Sequence, residues 1–106
     1  MVDVDRLSAT FRALANPERL TVLAAVASRR RGVNISQTCE LTGLPRLAVT
    51  RHLSKLRFAG LVSSRWEGRA HIHWLAESAV EQVEDWVYAV LPESGDPHHD
   101  PAELYT

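Results

Sequence analysis

The sequence has a single cysteine, Cys39, so no disulfide can close within its 106 residues. A reducing compartment, the cytoplasm, is the expected setting. No apolar run approaches the ~20 residues that span a bilayer, so no membrane association is expected. The opening MVDVDRLSAT carries acids where a signal peptide carries bases. There is no phosphate-cradling glycine loop, no Ser/His/Asp set and no carboxylate pair at a catalytic spacing. No enzymatic activity is expected.

Basic residues are also missing from one end. All twelve Lys and Arg lie at or before Arg69, against five acids, a balance of +7. From Ala70 onward there are eight acids and no Lys or Arg, a balance of -8. The net charge of -1 hides this division. A basic body with an acidic end points to a polyanionic partner for the body.

The remaining pattern is mostly helical. Val4, Leu7, Phe11 and Leu14 recur at helix spacing, predicting a first helix (α1) over 3–15. Asn16-Pro17-Glu18 stops it and starts a second (α2) that runs to 28 and is apolar on most sides. Arg29-Arg30-Arg31-Gly32 closes that helix, its cations suiting the negative end and its glycine the left-handed exit. A phosphate-contacting patch is the other reading of these arginines. A short third helix (α3), capped by Asn34 or Ser36, reaches 42, and Gly43 ends it. Pro45 opens a fourth (α4) that continues to 59. Residues 61–66 (β1) and 70–75 (β2) alternate as strands around the turn Glu67-Gly68-Arg69. A last helix (α5) covers 77–91.

The expected fold is therefore mainly α with a β wing, a winged helix-turn-helix in the order α1-α2-α3-α4-β1-β2-α5. Residues 1–91 are expected to form this one winged helix-turn-helix domain, and the acidic, proline-rich 92–106 a disordered tail.

The fourth helix organises the chain. On a helical wheel Val49, Leu53 and Leu56 share one narrow arc, the core face. Arg51, Ser54 and Phe58 point the opposite way, with Leu47 beside them. Arg46, Thr50, Arg51, Lys55 and Arg57 are left for the exposed surface, with no acid from Pro45 to Arg65. A solvated helix ordinarily mixes signs. A helix of one sign suits a polyanion, because each cation that meets a phosphate releases counterions. Arg46 and Arg51 can each donate two bonds to a guanine, Thr50 can reach a base or a phosphate, and the Ala48 methyl can meet a thymine methyl. His52 sits between faces, either a hydrogen-bonded shoulder or a DNA contact. Phe58 is expected to tuck under the wing.

The stretch VTRHLSKLRFAGLVSSRWEGRAHIHWL resembles the winged helix of the ArsR/SmtB family of bacterial transcription regulators. The carriers are Val49, Thr50, His52-Leu53, Leu56-Arg57, Ala59-Gly60-Leu61-Val62 and Gly68-Arg69, together with the opening FRALANPERLTVL. The resemblance covers about 4–91. It implies a homodimer joined through the first and last helices, with two recognition helices set on an inverted repeat. It implies DNA contacts at Ser36, Gln37, Arg46, Ala48, Thr50, Arg51 and His52, with Arg69 at the wing tip on the backbone or in the minor groove; the basic face adds Lys55. Leu47 departs from the family, which often has a small polar residue there. The dimer interface is expected at Val4, Leu7 and Phe11 with Val83, Trp86, Val87 and Val90, since the last helix is too apolar to face water alone.

The family's usual metal sites are not expected. Thiophilic sites need two or three cysteines around the third helix, and Cys39 stands alone as a structural residue. Zinc sites on the last helix pair Asp with His, and this helix has no His. No metal or other cofactor is assigned. The reading is a sequence-specific transcriptional regulator, a repressor before an activator, acting on double-stranded DNA as a homodimer. A protein co-regulator is a candidate further partner. The alternatives are a protein-interaction winged helix, and a nickel- or zinc-responsive regulator using His71, His73 and the tail residues His98 and His99.

Overall fold

The computed structural model describes residues 3–91. Its order is α1 (Val4–Leu14), α2 (Pro17–Ala27), α3 (Ile35–Thr42), α4 (Arg46–Phe58), β1 (Val62–Glu67), β2 (Ala70–Leu75) and α5 (Glu77–Val90). The mainly helical winged helix-turn-helix is as expected. The 92–106 tail, with His98 and His99, lies outside the described residues.

Caps set the helix starts. Asp3 accepts from the Arg6 N–H at 3.1 Å, and Asn16 from the Arg19 N–H at 3.0 Å. Of the two candidate caps for α3, Asn34 is used: its side chain accepts from the Gln37 N–H at 2.7 Å, while Gln37 Oε1 accepts from the Asn34 N–H at 2.9 Å. This reciprocal pair satisfies two amides that a helix start otherwise leaves without partners. Gly43, at φ +73°, makes the left-handed turn into α4. Pro45 stands one residue before the first turn of α4, with extended ψ, rather than inside it.

α2 packs against α1, α3, α4 and β2. Its apolar surface is less fully used than expected: Val22, Ala25 and Val26 are buried, while Leu20 is exposed. The core joins Val22 and Val26 to Val33, Val49, Leu53, Leu56, Leu61, Val62 and Ala79. The α4 arc of Val49, Leu53 and Leu56 is fully buried. Each such leucine contributes roughly 1.5–3 kcal/mol by leaving water. Cys39 packs against this cluster from its edge.

The wing is an antiparallel pair running from Val62↔Leu75 to Glu67↔Ala70. A third segment ties it down: Val33 and His73 exchange both backbone hydrogen bonds, each at 2.8 Å. Gly32 serves this contact rather than the exit from α2, whose C-cap is Ser28. Its φ is +89°, and a Cβ there would lie 2.7 Å from the His73 carbonyl oxygen. Only glycine supplies both the backbone angle and the clearance.

Candidate nucleic-acid interface

The outer face of α4 is built by exclusion. Three apolar positions turn inward, so those opposite turn outward at the same period. Thr50, Arg51 and Lys55 are exposed, Ala48 is half-buried between them, and Leu47 is exposed at the front. Arg46 is exposed and donates from Nη1 to Ser36 Oγ at 3.1 Å, joining the start of α4 to the start of α3. Gln37 lies beside Ser36 but its carbonyl oxygen is held by the α3 cap. Arg69 is exposed at the hairpin turn, next to Gly68 at φ +61°.

The charge on this face is uncompensated. Among the described residues the acids in contact with a basic side chain are Glu67, paired with Arg65, and Glu18, hydrogen-bonded to His52. Neither contact uses Arg46, Arg51, Lys55 or Arg69. Four exposed cations on one surface raise a positive potential that attracts a polyanion.

Two residues of α4 turn elsewhere. His52 faces α2, where its Nε2 meets Glu18 Oε1 at 3.0 Å, and its side chain is mostly covered. Its Nδ1 is buried with no protein partner. This is the shoulder position, away from the outer face. Arg57, expected on the exposed surface, is instead half-buried against the wing, its Nη1 2.7 Å from His73 Nε2. Phe58, expected under the wing, is 96% exposed. It lies in a groove of about 840 Å³ between α1 and α4 with Arg6, Arg12, Arg19 and Lys55. The α4 side chain that meets the wing is Arg57, through the buried His73.

His73 is fully buried. Guanidinium only donates, so His73 Nε2 accepts from Arg57, and Nδ1 carries the proton toward the His71 carbonyl 3.2 Å away. Burial, then the neighbouring His71 and Arg57, push its pKa down to about 4, against the opposing pull of the His71 carbonyl. Burial and Arg57 lower His71 as well. His71 hydrogen-bonds Ser64 Oγ through Nε2 at 3.0 Å and stacks on Trp66, ring centres 4.2 Å apart and 12° from parallel. His71 and His73 therefore do not form an open pair on the strand face: both nitrogens of His73 are engaged in the interior. Among the described residues no three His, Cys, Asp or Glu side chains gather as metal ligands.

Between the starts of α3 and α4 and the wing lies a cleft of about 340 Å³, with Ser36, Arg46, Trp66, Arg69 and His71 in its walls. Trp66 is an addition to the residues picked out by sequence. Its place in an alternating strand suggested only one side of a hairpin.

The geometry matches that of known proteins. Residues 16–64 match the sequence profile described as bacterial regulatory protein, arsR family. Over that stretch the chain is similar to the arsR family. It is 38% identical over 73 residues to the HTH-type transcriptional regulator KmtR of Mycobacterium tuberculosis, an alignment covering 69% of this chain and 55% of that protein. The chain thus spans about half the length of that relative. Among solved structures, an ArsR-like transcriptional regulator from Rhodococcus sp. RHA1 superposes with a TM-score of 0.70 at 21% identity, covering 80% of this chain and 79% of the other. A winged helix-turn-helix DNA-binding domain from Mycobacterium bovis, described as homodimeric, gives 0.64 at 26% identity over 92% and 90% of the two chains. These relatives are regulators rather than enzymes. No helix among the described residues is long and apolar enough to cross a membrane.

Of the expected dimer residues, Leu7 is buried by its own chain, which leaves little of it for a partner. α1 packs on α2 and α5, and Leu7 is on its covered side. Val4, Phe11 and Val87 are exposed, and Val83, Trp86 and Val90 half-buried. Phe11 and Trp86 meet edge to face with ring centres 5.4 Å apart, so α1 and α5 offer one joint surface.

Proposed function

We propose that this chain is a sequence-specific DNA-binding transcriptional regulator that acts as a homodimer on an inverted repeat, more as a repressor than an activator, in the cytoplasm. The carrying observation is the outer face of α4, where Arg46, Thr50, Arg51 and Lys55 stand exposed with no carboxylate partner among the described residues. Arg51 reads a base edge and Lys55 a phosphate, while Ala48 lets the helix approach closely. Ser36 and Gln37 meet the backbone from the α3 start, and Arg69 from the wing. His52 acts through Glu18, by orienting α4 on α2.

The homodimer reading rests on α5, whose Val80, Val87 and Tyr88 are exposed together with Leu91 at its C-cap. An apolar stripe of this kind calls for a partner surface. A second copy supplies it by two-fold symmetry, as described for the Mycobacterium bovis neighbour. The two α4 helices then stand about 34 Å apart, one turn of duplex.

The test is selection of bound duplex from a random pool, repeated with nickel, zinc and reductant. The expected product is a two-fold repeat with half-sites one turn apart, bound more weakly as salt rises. Recovery of no enriched sequence overturns the reading. A co-regulator protein, if one acts here, appears as a requirement for a cell extract in the same selection.

A further inference from the structure

The wing carries a large aromatic ring that the fold holds still and does not cover. Trp66 is 66% exposed. One face of the indole lies against His71, with ring centres 4.2 Å apart and 12° between the planes. His71 is itself fixed, by the Ser64 hydroxyl at 3.0 Å and by the His73 ring 4.3 Å away. His73 in turn is locked by Arg57 and by the backbone exchange with Val33. A chain of contacts from the buried core thus sets the angle of an exposed indole.

This ring stands in the cleft of about 340 Å³ with Arg46, Ser36 and Arg69. Arg65, on the same strand, is occupied by Glu67, with Nε 2.9 Å from the carboxylate. Arg69 has no such partner among the described residues. The cleft therefore combines two guanidinium groups, a hydroxyl and an oriented aromatic wall. Guanidinium groups match phosphate oxygens. A flat indole face matches the apolar C–H face of a sugar or the face of a base.

We propose that this cleft seats one deoxyribose-phosphate unit of the duplex backbone, its phosphate between Arg46 and Arg69 and its sugar against Trp66. This rests on the DNA-binding reading above and names a contact within it. Trp66 then anchors the wing without reading sequence, because every nucleotide offers the same sugar. The wing and the front of α4 grip the same strand, which fixes how deep α4 sits in the groove.

The test measures binding of the full chain to two duplexes of about 30 base pairs, long enough for two half-sites. One carries the selected sequence and the other is scrambled. Trp66→Ala is expected to weaken both by about tenfold, within the range of aromatic stacking on nucleic acid. It leaves the slope of affinity against salt unchanged, while Arg69→Ala lowers that slope by about 1. Trp66→Phe keeps the affinity and abolishes most of the change in tryptophan fluorescence on adding DNA. Circular dichroism melting of Trp66→Ala, unchanged because the ring is exposed, separates a lost contact from a lost fold. Wild-type affinity of Trp66→Ala for both duplexes overturns the cleft contact and leaves the α4 reading standing. A wild-type chain that binds neither duplex overturns both.

Discussion

Helices α4 and α5 are nearly equal in length, 13 and 14 residues, and both carry an apolar stripe. They use it in opposite ways. In α4 the stripe of Val49, Leu53 and Leu56 is wholly buried in its own chain. The remaining surface is basic and open. In α5 only Ala79 is buried, while Tyr88 remains 70% exposed. The polar surface of α5 holds Glu77, Glu81, Glu84 and Asp85 with no base. One helix spends its apolar side on folding and keeps its charge for a polyanion. The other leaves much of its apolar side unspent, and its acids would repel DNA. In the function proposed above, the destination of the apolar stripe, more than its presence, separates the helix offered to DNA from the one offered to a second copy.

The largest effect that sharpens this contrast falls on the α4 core. Leu53→Ala is expected to lower stability by about 2–5 kcal/mol, read by urea denaturation, because a fully buried side chain leaves a cavity. A loss no larger than that of an exposed site would remove α4 from the core.

Acid comes next. His73 is neutral in the fold down to about pH 4, whereas the unfolded imidazole takes up a proton below its ordinary 6.5. Protonation therefore favours the unfolded chain. The stability due to this group is complete above pH 6.5 and is lost as pH falls toward 4. The urea midpoint of His73→Gln is expected to fall less over that window than the wild type's. Parallel curves would show that the fold does not hold His73 neutral over that window.

For α5 the expected change is in mass, not in fold. Val87→Asp places a charge on the exposed stripe and is expected to weaken self-association by about 2 kcal/mol or more. Sedimentation at micromolar concentration checks it, and an unaltered mass would place the interface elsewhere. On the basic side, Arg51→Ala is expected to lose about 1–3 kcal/mol of specific binding and to relax preference at one base pair. Equal affinity with equal preference would exclude Arg51 from base readout. Smallest is Glu18→Gln, which removes the partner of His52. Because Glu18 is more than half exposed, the expected cost is about 0.2–1 kcal/mol in thermal unfolding.

Most of the fold was legible because its signals are local. The spacing of Val49, Leu53 and Leu56 marked the core face of α4 correctly, and the turn chemistry of Gly43 and Gly68 marked the chain's reversals. The exposed set of Arg46, Thr50, Arg51 and Lys55 followed from the same periodicity. A wheel fails where a long side chain can swing. The wheel angle of Arg57 points to solvent, yet its reach brings its guanidinium to a buried imidazole on β2. His52 was ambiguous for the same reason, and Glu18, far away in sequence, decided its direction.

What the sequence determined by itself is the element order, the buried stripe of α4 and the separation of basic body from acidic end. Each depends on residues within a few positions of one another, through periodicity, caps and charge. What only the tertiary structure decided is how the wing is set against the recognition helix. That setting runs through Gly32, Val33, His73, Arg57 and Trp66, drawn from four segments that lie apart in sequence. No periodicity records such contacts, because they arise from burial and close approach after the elements have packed.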